Sequence, residues 1–550
     1  MPFEAGAIVR HQLSWLVPII GLCFSVCTPV AGSELDDTTP AAKLDPVLVT
    51  NLGPVRGTSE GDSGGVHVFR GVRYAASTER RRFQRAADAV PWQEVVEATR
   101  FGNDCPQSGG GNVPVFASWA NPQPKSEDCL FLNVWTRGLA DDGKRPVMVW
   151  FHGGGYVAGS GSSHGYDGAR LAERGDVVVI TVNHRLNAFG YSYLGGLTDD
   201  PRYADSGNIG SLDMVKALEW VRDNAAAFGG DPENVTIFGE SGGAAKVSTL
   251  MAMEEAQGLF HRVIAQSGSM SLAGLTPRIA TPLAENLIET AGLQPGDVKG
   301  LASMPMTDLL KAMYASRSRG AFYRPVVDGR SLKRQPFTPD APPVSAKVPL
   351  LVGTNRTEMR LQAGLADPSA FDLDWDELSG KIAPYIGKAD PEEIIGGMRA
   401  AYPDANASEI YFQIATFRNY RGTAIRQAER KSSQPAPVYM YRMDWESPVE
   451  GGRLKAAHAL EIGFVFDNVA KSVSYTGEGE AQQRMADLMA DAWIAFARKG
   501  DPNTASLPNW PTYEPINRAT MIFDVEPKVL NDPDPERDLL QRLLPDGRGN

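Results

Sequence analysis

A serine framed by glycines, Gly239-Glu240-Ser241-Gly242-Gly243, follows the apolar run Val235–Phe238 and opens a helical pattern. A strand that turns this sharply into a helix has no room for side chains two residues either side of the serine, and it lifts the hydroxyl clear of the sheet. A hydroxyl is a weak nucleophile at neutral pH and needs a base beside it. The chain has seven histidines, and His11, His67, His152, His164 and His184 precede the serine. A nucleophile on a strand–turn–helix takes its acid, and then its histidine, from later in the chain. That leaves His261 and His458, and His261 follows too closely for an acid-bearing strand to intervene. His458 is therefore the expected general base. The acid belongs between Ser241 and His458, after a strand. Glu358 fits, in the polar turn after Leu350–Val352, and its role would be to hold the imidazole tautomer and stabilise the imidazolium. Asp328, between two valines and a glycine, is the runner-up and reads more simply as a turn. The oxyanion of a tetrahedral intermediate needs backbone donors, and Gly153-Gly154-Gly155 follows another apolar run, Pro146–Phe151. The N–H groups of Gly154, Gly155 and Gly242 are the expected donors.

The elements that must position these groups are legible as alternating runs. Pro146–Phe151, Asp176–Val182, Val235–Phe238, Val263–Ala265, Pro349–Val352 and Val438–Tyr441 read as buried strands, several of them β-branched. Between them lie helical patterns: Leu212, Val215, Leu218 and Val221 at three-residue spacing, a helix from about Gly243 to Met253, and another from roughly Ala481 to Arg498. Strands alternating with helices predict an α/β fold, a mainly parallel sheet flanked by helices. The more helical, irregular stretches 271–346 and 367–431 are expected to be insertions capping the carboxyl edge of the sheet. Val47–Thr50 and Val66–Phe69 suggest small strands at the start of the fold.

Composition is that of a globular enzyme: 550 residues, 42% hydrophobic and 22% charged, with a formal net charge of −12. Such a charge disfavours nucleic acid or anionic membrane as a partner. Residues 1–32 read as an export signal, with Arg10 and His11 before the apolar stretch Trp15–Cys27 and small residues at Val30-Ala31-Gly32. Residues 33–46 follow as a linker, and 47–550 as a single domain with no other span long enough for a membrane. Secretion or a periplasmic home is expected. Two of the four cysteines leave with that signal, so Cys105 and Cys129 most economically pair, with free buried thiols as the alternative. They are too few for a zinc site, and no metal is expected.

Five stretches together resemble the type B carboxylesterase/cholinesterase family of the α/β-hydrolase superfamily, in its bacterial form, over about Val47 to Phe523. They are Ser126–Trp135, the Gly153–Gly155 triplet, Phe228–Ser241, Gln266–Ser269, and His458-Ala459-Leu460-Glu461. The resemblance implies an α/β-hydrolase fold with helical insertions forming a gorge, and hydrolysis of small-molecule esters without a cofactor. It implies the triad Ser241, Glu358 and His458, oxyanion donors at Gly154, Gly155 and Gly242, a first disulfide at Cys105–Cys129, and an Arg82–Glu127 ion pair bracing that loop. Trp119 has the spacing from Cys129 of the choline-stacking tryptophan of acetylcholinesterase. With Glu240 and Tyr156 it makes a candidate substrate contact, weighed against plain packing under the loop. Two departures stand out: Gly242 replaces the family's usual alanine after the nucleophile, and Thr357-Glu358-Met359 replaces an Asp-Glu-Gly acid turn. A catalytically silent binding protein of the same fold is the alternative from another class, and the complete triad weighs against it.

Overall fold

A computed structural model describes residues 45–60, 65–108, 113–268 and 272–544. The expected export signal 1–32 and nearly all of the linker 33–46 lie outside the described residues. The chain from Asp45 to Asn550 is one compact unit.

Numbering strands along the chain, β1 (Val47–Thr50), β2 (Gly53–Arg56) and β5 (Val96–Glu97) form a small separate sheet. The large sheet is made of β3 (Thr58–Glu60), β4 (Val66–Arg73), β6 (Phe131–Thr136), β7 (Arg145–Phe151), β8 (Val178–Val182), β9 (Gly230–Glu240), β10 (Arg262–Gln266), β11 (Leu350–Asn355), β12 (Val438–Met443), β13 (Ala519–Phe523) and β14 (Lys528–Asn531). These eleven run in the order β14-β13-β12-β11-β10-β9-β7-β8-β6-β4-β3. From β8 to β13 every neighbouring pair is parallel, whereas both margins are antiparallel. The unbroken apolar runs predicted this. Val147–Phe151 and Val178–Val182 are buried throughout, as a strand covered on both faces requires, and each such side chain contributes about 1.5–3 kcal/mol by leaving water.

The helices Ile209–Asn224, Gly242–Leu250 and Glu480–Lys499 coincide with the sequence patterns to within a few residues. The two irregular stretches are indeed helical. The first contributes Pro277–Thr290, Val298–Ser303 and Met306–Ser318, packed with Tyr156, Phe189 and Tyr191. The second contributes Trp375–Ile386, Pro391–Ala401, Ala407–Thr416 and Gly422–Lys431. Cys105 and Cys129 are joined by a disulfide, and beside them Arg82 Nε donates to Glu127 Oε2 at 2.8 Å with both side chains buried. Arg82 also donates to the carbonyls of Leu301 and Met304, tying the disulfide loop to the first helical insertion.

Candidate active site

Three adjacent parallel strands, β9, β10 and β11, deliver the site at their carboxyl ends. β9 runs into Ser241, whose backbone takes φ 56° and ψ −117°, a conformation that costs energy for a residue with a Cβ and marks a functional turn. The turn is held from the next strand, because Ser241 N donates 2.8 Å to Gln266 O at the end of β10. The tight space that the sequence implied is real. A Cβ on Gly239 would lie 2.6 Å from both Phe151 O and the backbone of Gly243, and one on Gly242 would collide with the backbone N, Cα and O of Gly155. The glycine loop and the amino terminus of the nucleophile helix are thus in van der Waals contact. Gly154 and Gly155 both have positive φ, 82° and 63°, which lets the loop curl there.

β11 runs into Glu358, a wholly buried carboxylate. Its Oε2 accepts from His458 Nδ1 at 2.7 Å. Its Oε1 accepts from Ser267 Oγ at 2.6 Å and from Asn355 N at 2.7 Å. Glu358 thus accepts from three donors, which fix it from β10 as well as β11. The His458 turn is pinned on its backbone: His458 N donates to Glu358 O at 3.2 Å, and Tyr475 Oη donates to His458 O at 2.5 Å. With Nδ1 engaged by Glu358, the other ring nitrogen faces Glu240 Oε1 at 3.1 Å, on the residue before Ser241. That approach is off the line of a hydrogen bond, so it is a charge contact.

Burial raises the Glu240 pKa well above the ordinary carboxylate value, and the neighbouring Glu461 and Glu358 add to it, against the pull of His458. For His458 burial works downward, but Glu240, the Glu358 hydrogen bond and Glu461 outweigh it and lift the imidazole to about 9. Both shifts follow from burying the carboxyl and the imidazole side by side, 3.1 Å apart. Glu461 stands behind this pair, its carboxyl raised to about 7 by burial and by Glu358. It accepts from Asn355 Nδ2 at 2.7 Å and from Gln266 Nε2 at 3.2 Å.

The structure joins His458 to Glu358 and to Glu240, the residue before Ser241, and packs Gly242 against Gly155 of the glycine loop. Trp119 and Tyr156 sit in packing. Trp119 is buried, stacked on Phe116 at 5.1 Å with its N–H donated to Ser472 Oγ, and Gly165 presses on its ring. Through Tyr475, which meets Phe116 and Trp119 edge-on, that cluster supports the His458 carbonyl. Tyr156 is buried against Tyr191, and its hydroxyl lies 3.2 Å from Thr249 Oγ1. Asp328 holds its own loop, accepting from Arg330 N, Leu332 N, Ser331 Oγ and Asn208 Nδ2. His261 accepts from Val235 N at 3.1 Å and is local to the start of the nucleophile strand.

Sequence reasoning did not assign roles to Ser267, Asn355 and Glu461, although Ser267 and Glu461 lie inside the motifs that carried the resemblance. Their signal was positional, at the carboxyl ends of strands beside the nucleophile strand or one helical turn past the histidine. Lys246 was also missed. It lies on the nucleophile helix, is wholly buried, and its Nζ donates 2.7 Å to His152 O, the carbonyl that enters the glycine loop.

Residues 44–538 match the Carboxylesterase family. The para-nitrobenzyl esterase of Bacillus subtilis is 34% identical over 510 residues, which cover 91% of this chain and 98% of that protein. The phenmedipham hydrolase of Pseudarthrobacter oxydans is 31% identical over 508 residues, covering 86% and 95%. Among solved structures, the Geobacillus stearothermophilus carboxylesterase EST55 superposes with a TM-score of 0.78 at 40% identity, covering 90% of this chain and 98% of its own. The fold is that of an α/β-hydrolase, and the chain belongs to the carboxylesterase family of carboxylic ester hydrolases.

Proposed function

We propose that the protein hydrolyses small-molecule carboxylic esters in two steps through an acyl-enzyme on Ser241. His458 takes the serine proton as the hydroxyl attacks the ester carbonyl, and Glu358 holds the imidazole and balances its charge. The oxyanion rests on the N–H groups of Gly154, Gly155 and Gly242, and His458 returns the proton to the departing alkoxide. Water, activated by the same imidazole, then releases the acid. The observation that carries this reading is the 2.7 Å bond from His458 Nδ1 to a Glu358 that accepts from three donors, with the imidazole also against Glu240, the residue before a serine on a strained strand-to-helix turn. Glu240 tunes the base through its contact with the second ring nitrogen. Trp119 and Tyr156 support the site from packed positions. We also place the mature chain outside the cytoplasm, in the periplasm or secreted, on the leader-like residues 1–32 and the Cys105–Cys129 pair.

The test is turnover of p-nitrophenyl esters of increasing acyl length by the mature protein beside Ser241→Ala. Wild type should turn them over, and the variant should lose at least about 10⁴-fold in kcat. A folded wild type that is inactive on every ester, with no fluorophosphonate label on Ser241, would replace this reading with the silent binding protein.

A further inference from the structure

The segment between the helices Ala407–Thr416 and Gly422–Lys431 is a π-helical turn, Phe417–Arg421. Such turns are rare, cost regular hydrogen bonding, and recur at functional sites. Here the wide turn presents Tyr420 to the catalytic base: its ring centroid lies 4.6 Å from that of His458, with the planes tilted by 37°. Tyr420 is buried, and its hydroxyl donates 2.7 Å to Gln362 Oε1. Gln362 belongs to the helix Met359–Ala366, which begins immediately after Glu358. One residue before the π-turn, Thr416 Oγ1 accepts from Met359 N at 3.2 Å, at the start of that same helix. The turn itself is anchored from outside the site, since Arg421 donates to Asp534 and to Tyr441 O. One short segment therefore braces both the acid-bearing helix and the face of the base.

We propose that Tyr420 is a positioning residue for His458, its ring backing the imidazole and attracting it more strongly once it has taken the Ser241 proton. This rests on the triad reading above and extends it. An aromatic face within about 6 Å of a cation is attractive, more so where water is excluded. The contact is weak toward neutral imidazole and strong toward imidazolium, so it acts on the transition state more than on the ground state. The other charged and titratable groups facing the ring are Glu358 after β11, Glu240 at the end of β9 and Glu461 beyond the His458 turn. Tyr475 meets only its carbonyl. Burial, and then Glu358, hold the Tyr420 phenol far above its ordinary pKa, so it stays protonated and keeps its bond to Gln362.

The experiment is kcat, KM and the pH profile of kcat/KM for a p-nitrophenyl ester with wild type, Tyr420→Phe, Tyr420→Leu and Tyr420→Met, beside Ser241→Ala. Tyr420→Phe keeps the ring and loses only the Gln362 bond, so its acid limb should stay at the wild-type pH. Tyr420→Leu should lose about 3- to 10-fold in kcat at near-constant KM. Its acid limb should move to lower pH by about half a unit to one unit, because without the ring the imidazolium gives up its proton more readily. Tyr420→Met fills the space without a π face and should match Tyr420→Leu, so it carries the test if the leucine variant does not fold. Leucine and methionine variants with the wild-type kcat and acid limb would overturn the proposal. So would a kcat loss with an unmoved limb, which would assign Tyr420 to packing alone. Activity surviving in Ser241→Ala would instead overturn the triad reading beneath it.

Discussion

Gly242→Ala is the sharpest test of the oxyanion geometry, because alanine is the residue that the family usually carries there. Its Cβ would fall inside contact distance of Gly155 N, Cα and O. Carbon atoms settle at about 3.5–4 Å, so the glycine loop must retreat by about 1 Å or the helix terminus must tilt. The loop has little freedom to retreat. Gly154 and Gly155 already occupy positive φ, the His152 carbonyl is held by Lys246 Nζ at 2.7 Å, and Tyr156 O accepts from Asn187 N at 2.6 Å. A donor that must lie about 2.7–3.1 Å from the oxyanion, displaced by 1 Å, no longer serves it, and one lost donor costs about 10²–10³ in kcat. Because the donors act on charge that exists only in the transition state, KM should hardly move. Steady-state kinetics on p-nitrophenyl esters, with a thermal scan to confirm folding, decide the matter. Wild-type kcat in a folded Gly242→Ala would refute the argument that the loop and helix are locked together.

Two further outcomes follow from buried charges. Glu240 raises the His458 pKa, so Glu240→Gln should release the imidazole proton at lower pH and move the acid limb of kcat/KM downward, as a pH–rate profile would record; an upward or absent shift would contradict this charge contact. Burial lowers the Lys246 pKa well below its ordinary 10.5, so between the folded value and 10.5 the unfolded chain binds more protons than the folded one. Wild-type stability should therefore rise with pH across that window, and Lys246→Met should lack the slope, which urea unfolding at neutral pH and at about pH 10 would reveal.

Much of the site was legible because its chemistry is bound to local pattern. The Ser241 elbow needs glycines at fixed offsets, His458 was isolated by counting histidines beyond it, and Cys105 and Cys129 were the pair left once Cys23 and Cys27 were read as part of an export signal. Glu358 was chosen for a different reason: it stands in a polar turn just after the buried strand Leu350–Val352, with Asp328 as the runner-up. Asp328 is placed differently. It too follows apolar residues, but its carboxylate accepts from Arg330 N, Leu332 N and Ser331 Oγ, so it shapes a loop. What the sequence withheld depends on which elements become neighbours. Ser267 bonds Glu358 because β10 lies between β9 and β11, and nothing in the residues around Ser267 states that order.

Tyr420 and Trp119 make the same point from opposite sides. Trp119 has the spacing of a ligand-stacking aromatic, yet spacing along a loop does not say which way a ring turns. Its faces are taken by Phe116 and Gly165, and its N–H by Ser472. Tyr420 sits in an unremarkable helical stretch, and only the one-residue widening of a π-turn sets it on the base. The proposed reacting atoms are thus specified by motif, while the groups that fix their geometry are specified by packing among β9, β10, β11 and the helices that follow them. Substitutions in the first set should abolish turnover, whereas those in the second should shift kcat and its pH dependence by smaller factors with little change in KM.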